Sequence, residues 1–208
     1  MATQATSRGA SSSATTWLSM RRAEVLRNRP QAALIQPPRY TVVMGGRIEW
    51  VLTPLEQAGV RYLVVGGVAV VLHGHLRTTL DLDLVVQLEP DNLERALTVF
   101  GDLGFQPQVP LPLRAFADPQ TRETWGREKN MTVFSLWHPS HPGFALDLFV
   151  QEPFDFDDVY HRALRVPLEQ GQATVVARED LIAMKRATGR ARDIEDVEAL
   201  LGISEDEP

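Results

Sequence analysis

The chain has 208 residues, 44% hydrophobic and 23% charged, with no cysteine and a net charge of −6. That length suffices for one domain with a real core. The lack of cysteine excludes disulfide scaffolds, cysteine nucleophiles and thiolate zinc sites, and leads to the expectation of a reducing, cytoplasmic setting.

The charge is unevenly spread. Residues 1–47 hold seven arginines against one glutamate, a balance of +6, while the other 161 residues hold 14 basic and 26 acidic groups, a balance of −12. A nucleic-acid partner would therefore have to use local basic patches. Residues 1–16 are small and polar, too poor in apolar groups to fold. A short basic helix is expected over 17–29, interrupted by Pro30 and "QPPR", so that 1–43 form a poorly structured extension. This lead shares its composition with transit peptides. Its arginines have no clean amphipathic repeat, and the simpler expectations are a loose tail or a true start at Met20 or Met44.

The folded body, 44–208, is expected to begin near Met44. Ile48, Val51, Leu52 and Leu55 recur with helical spacing and Gly59 supplies a C-cap. "VRYLVV" (60–65) reads as a buried strand, and Gly66-Gly67 turn the chain into a short helix over about 68–73. The apolar run Tyr62–Leu72 is 11 residues long; a membrane helix needs about 20, so no span and no membrane partner is expected. "TLDLDLVVQL" (79–88) is a second strand, with Leu80, Leu82 and Leu84 directed to the core, and Pro90 opens a helix to about Phe100. Residues 106–122, rich in proline, read as a surface loop. "MTVFSLWH" and "FALDLFV" are strands joined by "PSHPG", and a short strand near 173–176 leads into C-terminal helices from about 178, broken at Gly189. The order predicts an α/β (α+β) chain, a sheet with helices packed on it.

The informative feature is a pair of acids inside an apolar strand. Residues i and i+2 of a strand share a face, so Asp81 and Asp83 project together and repel unless a cation neutralises them. Mg²⁺ takes one or two carboxylates and leaves room for phosphates. Asp147, flanked by leucines in "FALDLFV", repeats the design. The Gly66-Gly67 turn offers backbone N–H groups to a phosphate. A glycine turn, two acids on one strand and a third on a later strand form a constellation for nucleotidyl transfer.

"VVGG", thirteen residues and "DLDLVV" resemble the signature of the polymerase β-like nucleotidyltransferase superfamily. More narrowly, "VGGVAVVLHGHLRTTLDLDLVV" and "REDLIAMKRATGRARDIEDVEAL" resemble segments of bacterial AbiEii-type toxin nucleotidyltransferases, over roughly 50–201. The resemblance implies a mixed-sheet nucleotidyltransferase fold with flanking helices and a C-terminal helical segment. It implies a nucleoside triphosphate at Gly66 and Gly67, and two Mg²⁺ ions, with Mn²⁺ as substitute, on Asp81, Asp83 and Asp147. Asp147 is then the base that activates the attacking hydroxyl. The implied acceptor is an RNA or tRNA end or a protein hydroxyl, and the implied partner is an antitoxin protein. Where the superfamily often has serine, this chain has Gly67.

Arg77, four residues before Asp81, has the fork geometry for a triphosphate. Lys185 and Arg190 are expected to contact phosphate or base, with Lys185 also counted among the catalytic residues and Asp193 as its partner; a plain solvated charge run is the structural alternative. His73 is expected to order its turn by hydrogen bonding and His75 to be exposed. His138 and His141 form a tight connector, and Thr78 and Thr79 only start a strand. Trp137 is expected in the core, and Trp125 exposed near a substrate. Two other functions fit the same residues: a small-molecule nucleotidyltransferase acting on a drug hydroxyl, and a catalytically silent binding module.

Overall fold

A computed structural model describes residues 41–203. The expectations for the tail, for the helix over 17–29 and for a start at Met20 lie outside them. The first described helix, α1 (Thr41–Gln57), includes Met44. Its residues Ile48, Val51, Leu52 and Leu55 are buried. It ends in a Schellman motif: Gly59 at φ +65 lets the amides of Gly59 and Val60 reach the carbonyls of Glu56 and Leu55.

The chain continues as β1 (Tyr62–Val65), α2 (Gly66–Leu72), β2 (Asp81–Val86), α3 (Pro90–Asp102) and a short β3 (Gln106–Pro107). A 3-10 turn (Leu113–Ala117) and α4 (Pro119–Lys129) follow, then β4 (Val133–Trp137), β5 (Ala145–Phe149), α5 (Phe156–His161), β6 (Leu164–Pro167), β7 (Gln172–Val175), α6 (Arg178–Thr188) and α7 (Ala191–Gly202). The loop expected over 106–122 is thus largely structured. Its prolines do local work: Pro119 stands in the first turn of α4, capped by Asp118 accepting from the Thr121 amide. The helix α5 and strand β6 were not foreseen; both are short and carry no long periodic run.

The strands form one mixed sheet in the order β3-β4-β5-β2-β1-β7-β6. The pairs β1/β2, β3/β4, β4/β5 and β6/β7 are antiparallel; β2/β5 and β1/β7 are parallel. All of β1 is buried. On β2, β5 and β4 the leucines and Phe134 turn to one side, and Phe134 stacks on Phe116 and Trp125 there. The opposite side of the same strands carries Asp81, Asp83, Asp147 and Ser135, which positions the site. Leu80, expected in the core, precedes β2 and is 51% exposed, because the strand begins only at Asp81.

Candidate active site

Glycine is required at position 66 on two counts. Its φ is +63, and a Cβ there would fall 1.9 Å from Asp83 Oδ2. The turn after β1 is therefore pressed directly against the second acid of β2. The amide of Gly67 is directed at Asp83 as well, one of the few features that favour its charged form.

Register brings the acids together. Asp83 lies opposite Val65 on one side and Asp147 on the other, and Asp147 lies opposite Ser135. Asp81, two residues back on the same face, is the exposed member. Burial first, then the charges of Asp147 and Asp81, push the Asp83 carboxyl up to about 7; the Gly67 amide and Lys185 oppose this. Burial likewise raises Asp147, with the Ser135 hydroxyl pulling the other way and Asp81 adding to the rise. Asp147 Oδ1 is buried with no hydrogen-bond donor.

These features fit a divalent cation. Hard oxygen donors, crowded like charges and an unpaired buried carboxylate oxygen are what a Mg²⁺-type ion relieves. Among the described residues no three Asp, Glu or His side chains already form a cage around one point; the three aspartates line one sheet face instead.

Two of the basic residues expected at the site, Arg77 and Lys185, are held together by Asp196, an acid expected only as part of a solvated, salt-bridged face with Glu179, Asp180 and Asp193. Asp196, 3% exposed, accepts from Arg77 Nη1 and, at 2.6 Å, from Lys185 Nζ, both on its Oδ2. Lys185 also donates to Asp193 at 3.1 Å, and Asp193 accepts from the Thr188 hydroxyl at 2.6 Å. Burial alone would raise Asp193, but Thr188 and Lys185 together hold its carboxyl below the usual range. The Asp193–Lys185 partnership agrees with expectation. Arg77 is neither a solvated arginine nor a free one: it ties the strap between α2 and β2 to α7. Asp196 had a legible signal, since it adjoins Val197 and lies four residues before Leu200 on the buried side of α7. Arg190 sits at the α6–α7 junction with its side chain exposed, close enough to Asp193 to favour that residue's charge but not drawn in with Arg77.

His73 Nε2 lies 2.8 Å from the Val176 carbonyl, and burial lowers its pKa, so it is a neutral donor ordering the turn as expected. His75 is half-buried rather than exposed. His138 approaches the Leu103 carbonyl at 2.8 Å and His141 stacks on Trp50, so the connector is built as an aromatic cluster.

The two tryptophans exchange their expected places. Trp125, 3% exposed, stacks flat on Phe134 because residues 119–129 are a helix facing the sheet and not a loop. Trp137, 41% exposed, alternates with Phe134 and Leu136 and so lands on the side of the aspartates, in register with Ala145 and thence Asp81.

Residues 49–203 match the model of a family described as "Nucleotidyltransferase of unknown function (DUF6036)". The chain belongs to this family. No curated protein matches it. Two solved structures share its fold at low identity. The lincosamide antibiotic adenylyltransferase LnuA, lincomycin-bound, superposes with TM-score 0.53 at 15% identity, covering 76% of this chain and 97% of that one. The antibiotic-resistance factor ANT(2'')-Ia gives TM-score 0.50 at 12% identity, with 76% and 83% covered. The fold is the polymerase β-like nucleotidyltransferase fold, as the glycine turn and D-L-D strand led one to expect, and the protein is a nucleotidyltransferase by family. Among the described residues no helix is long and apolar enough to cross a membrane.

Proposed function

We propose that the protein transfers a nucleoside monophosphate from a nucleoside triphosphate to a hydroxyl acceptor, with Asp81, Asp83 and Asp147 holding divalent metal, Mg²⁺ in the first instance. The observation that carries the proposal is the register of Asp83 against Asp147 beside the Gly66-Gly67 turn, with Asp147 Oδ1 buried and unpaired. When bound, the metal supplies charge neutralisation and Lewis acidity at the α-phosphate. The rest falls to the chain. Asp147, its carboxyl raised by burial, is suited to receive the proton of the attacking hydroxyl. Gly66 keeps the turn close to Asp83, Arg77 gives one guanidinium nitrogen to Asp196 and keeps Nη2 for the triphosphate, Lys185 between Asp193 and Asp196 fixes that arrangement, and Arg190 adds an exposed charge.

For the acceptor, the resemblance to AbiEii-type toxins favours an RNA or tRNA end or a protein hydroxyl, in a cytoplasmic toxin held in check by an antitoxin. A second reading, a small-molecule hydroxyl, is favoured by the likeness in fold to the lincosamide antibiotic adenylyltransferase. Incubation with each α-labelled nucleotide and Mg²⁺, with total RNA, protein extract or hydroxylated small molecules in parallel, tests both. Label transfer lost in Asp81→Ala/Asp83→Ala identifies the acceptor class. Nucleotide binding with no transfer in any arm refutes the proposal in favour of a silent binding module.

A further inference from the structure

We infer that Trp137 is the platform on which the acceptor lies, and that the acceptor is a hydroxylated ring compound without phosphate groups. The inference rests on the nucleotidyl-transfer reading above and selects among its acceptor classes. Direct register lines up Gln106, Trp137, Ala145 and Asp81 across β3, β4, β5 and β2. This row lies on the same side of the sheet as Ser135, Asp147 and Asp83, each two residues along its strand. The Gly66-Gly67 turn reaches Asp83 from the β1 side, whereas Trp137 stands on β4, beyond Asp147 on the other side. With the triphosphate at the glycine turn, the attacking hydroxyl has to approach from the side of Asp147, which is where Trp137 stands.

Trp137 and Asp147 are diagonal neighbours on an antiparallel pair, a Cα separation of about 7–8 Å. A sugar-sized ring laid on the indole spans that gap and brings a hydroxyl on its edge to the Asp147 carboxylate. Ala145, directly opposite Trp137, carries only a methyl group and does not fill the gap. The protein itself leaves the indole bare. Trp137 is 41% exposed, and among the described residues no aromatic ring stacks on it and its N–H has no hydrogen-bond partner. Trp50 and Trp125, by contrast, each stack on a phenylalanine. A bare indole offers a flat apolar face to a ring, and the exposed Gln106 amide beside it can bond that ring's hydroxyls. Charge then selects the class. On this side β2, β4 and β5 present Asp81, Asp83 and Asp147 and no lysine or arginine. A nucleic-acid end needs cations along its phosphate track. An uncharged or amine-bearing ring needs none, and an amine gains further from the indole face.

The test reads acceptor and nucleotide separately. Label transfer from each α-labelled nucleotide with Mg²⁺ is measured on the full chain, with total RNA and protein extract in two arms. A third arm holds lincomycin, an aminocyclitol glycoside, a simple glucoside and free nucleosides. The expected result is transfer to a compound of the third arm and none to RNA or protein. In Trp137→Ala the KM for that compound should rise about 10-fold or more, with the KM for nucleotide and the melting temperature unchanged. Trp137→Phe, which keeps a flat ring, should restore most of the loss. An unchanged acceptor KM in Trp137→Ala overturns the platform, and transfer to RNA or protein alone overturns the acceptor class. Should Trp137→Ala not fold, Trp137→Leu, which lacks the flat face, against Trp137→Phe makes the same comparison. No transfer by the wild-type chain in any arm removes the nucleotidyl-transfer reading itself, and the inference falls with it, which is a different failure.

Discussion

Removal of the Asp196 carboxylate should unsettle the joint between the C-terminal helices and the strap before β2. Asp196 is 3% exposed and neutralises both Arg77 and Lys185, whose side chains are 14% and 7% exposed. Asp196→Ala leaves the Arg77 guanidinium with a buried face and no anion, while Lys185 retains Asp193. Breaking a buried ion pair from one side typically costs about 3–5 kcal/mol. With Lys185 still paired, the lower end applies, about 3 kcal/mol. For a body of this size 1 kcal/mol moves the melting temperature by about 2–4 °C, so a fall of roughly 6–12 °C is expected. Urea denaturation with matched slopes gives the free energy directly. Arg77→Met in the Asp196→Ala background should recover part of the loss, because it removes the stranded charge. A single-variant loss under about 1 kcal/mol, or no recovery in the double variant, would refute the view that Asp196 is the electrostatic centre of this joint.

Gly66→Ala should abolish transfer, because its Cβ occupies the Asp83 carboxylate's position and its φ of +63 disfavours alanine; label transfer and circular dichroism distinguish lost chemistry from lost fold. Asp83→Asn should also lose transfer yet raise the stability of the metal-free protein, since it removes a buried charge beside Asp147; thermal melts with chelator check this. His73 sets a pH dependence. Burial lowers its folded pKa, so the neutral form is preferred and its contribution is complete above the unfolded value of about 6.5, then lost as pH falls below it. Stability curves from pH 7.5 to 5 should be shallower for His73→Gln, by at most about 1.4 kcal/mol per pH unit. The tryptophans should separate in the same assay: Trp125→Ala costs about 3–5 kcal/mol through lost core packing, and Trp137→Ala stays within about 1 kcal/mol.

The sequence by itself determined the glycine turn, the D-L-D strand and the third acid in a leucine-flanked strand. Each is a local pattern: strand alternation puts Asp81 and Asp83 on one face, and a glycine pair marks a sharp turn whatever surrounds it. The C-terminal break at Gly189 and the Lys185–Asp193 pairing were legible for the same reason, being separated by only eight residues. Only the tertiary structure decided what depends on partners distant in the chain. The meeting of Arg77 with Asp196 spans 119 residues, and no local rule chooses between that acid and water. Trp125 and Trp137 exchanged places because burial follows from which face of which element meets the sheet, and the helix over 119–129 was hidden behind its prolines. The crowding of Thr79 and Arg77 over Gly67 likewise exists only once strap and turn are folded together. That contact explains why position 67 is glycine, which composition and spacing had left as a departure from pattern.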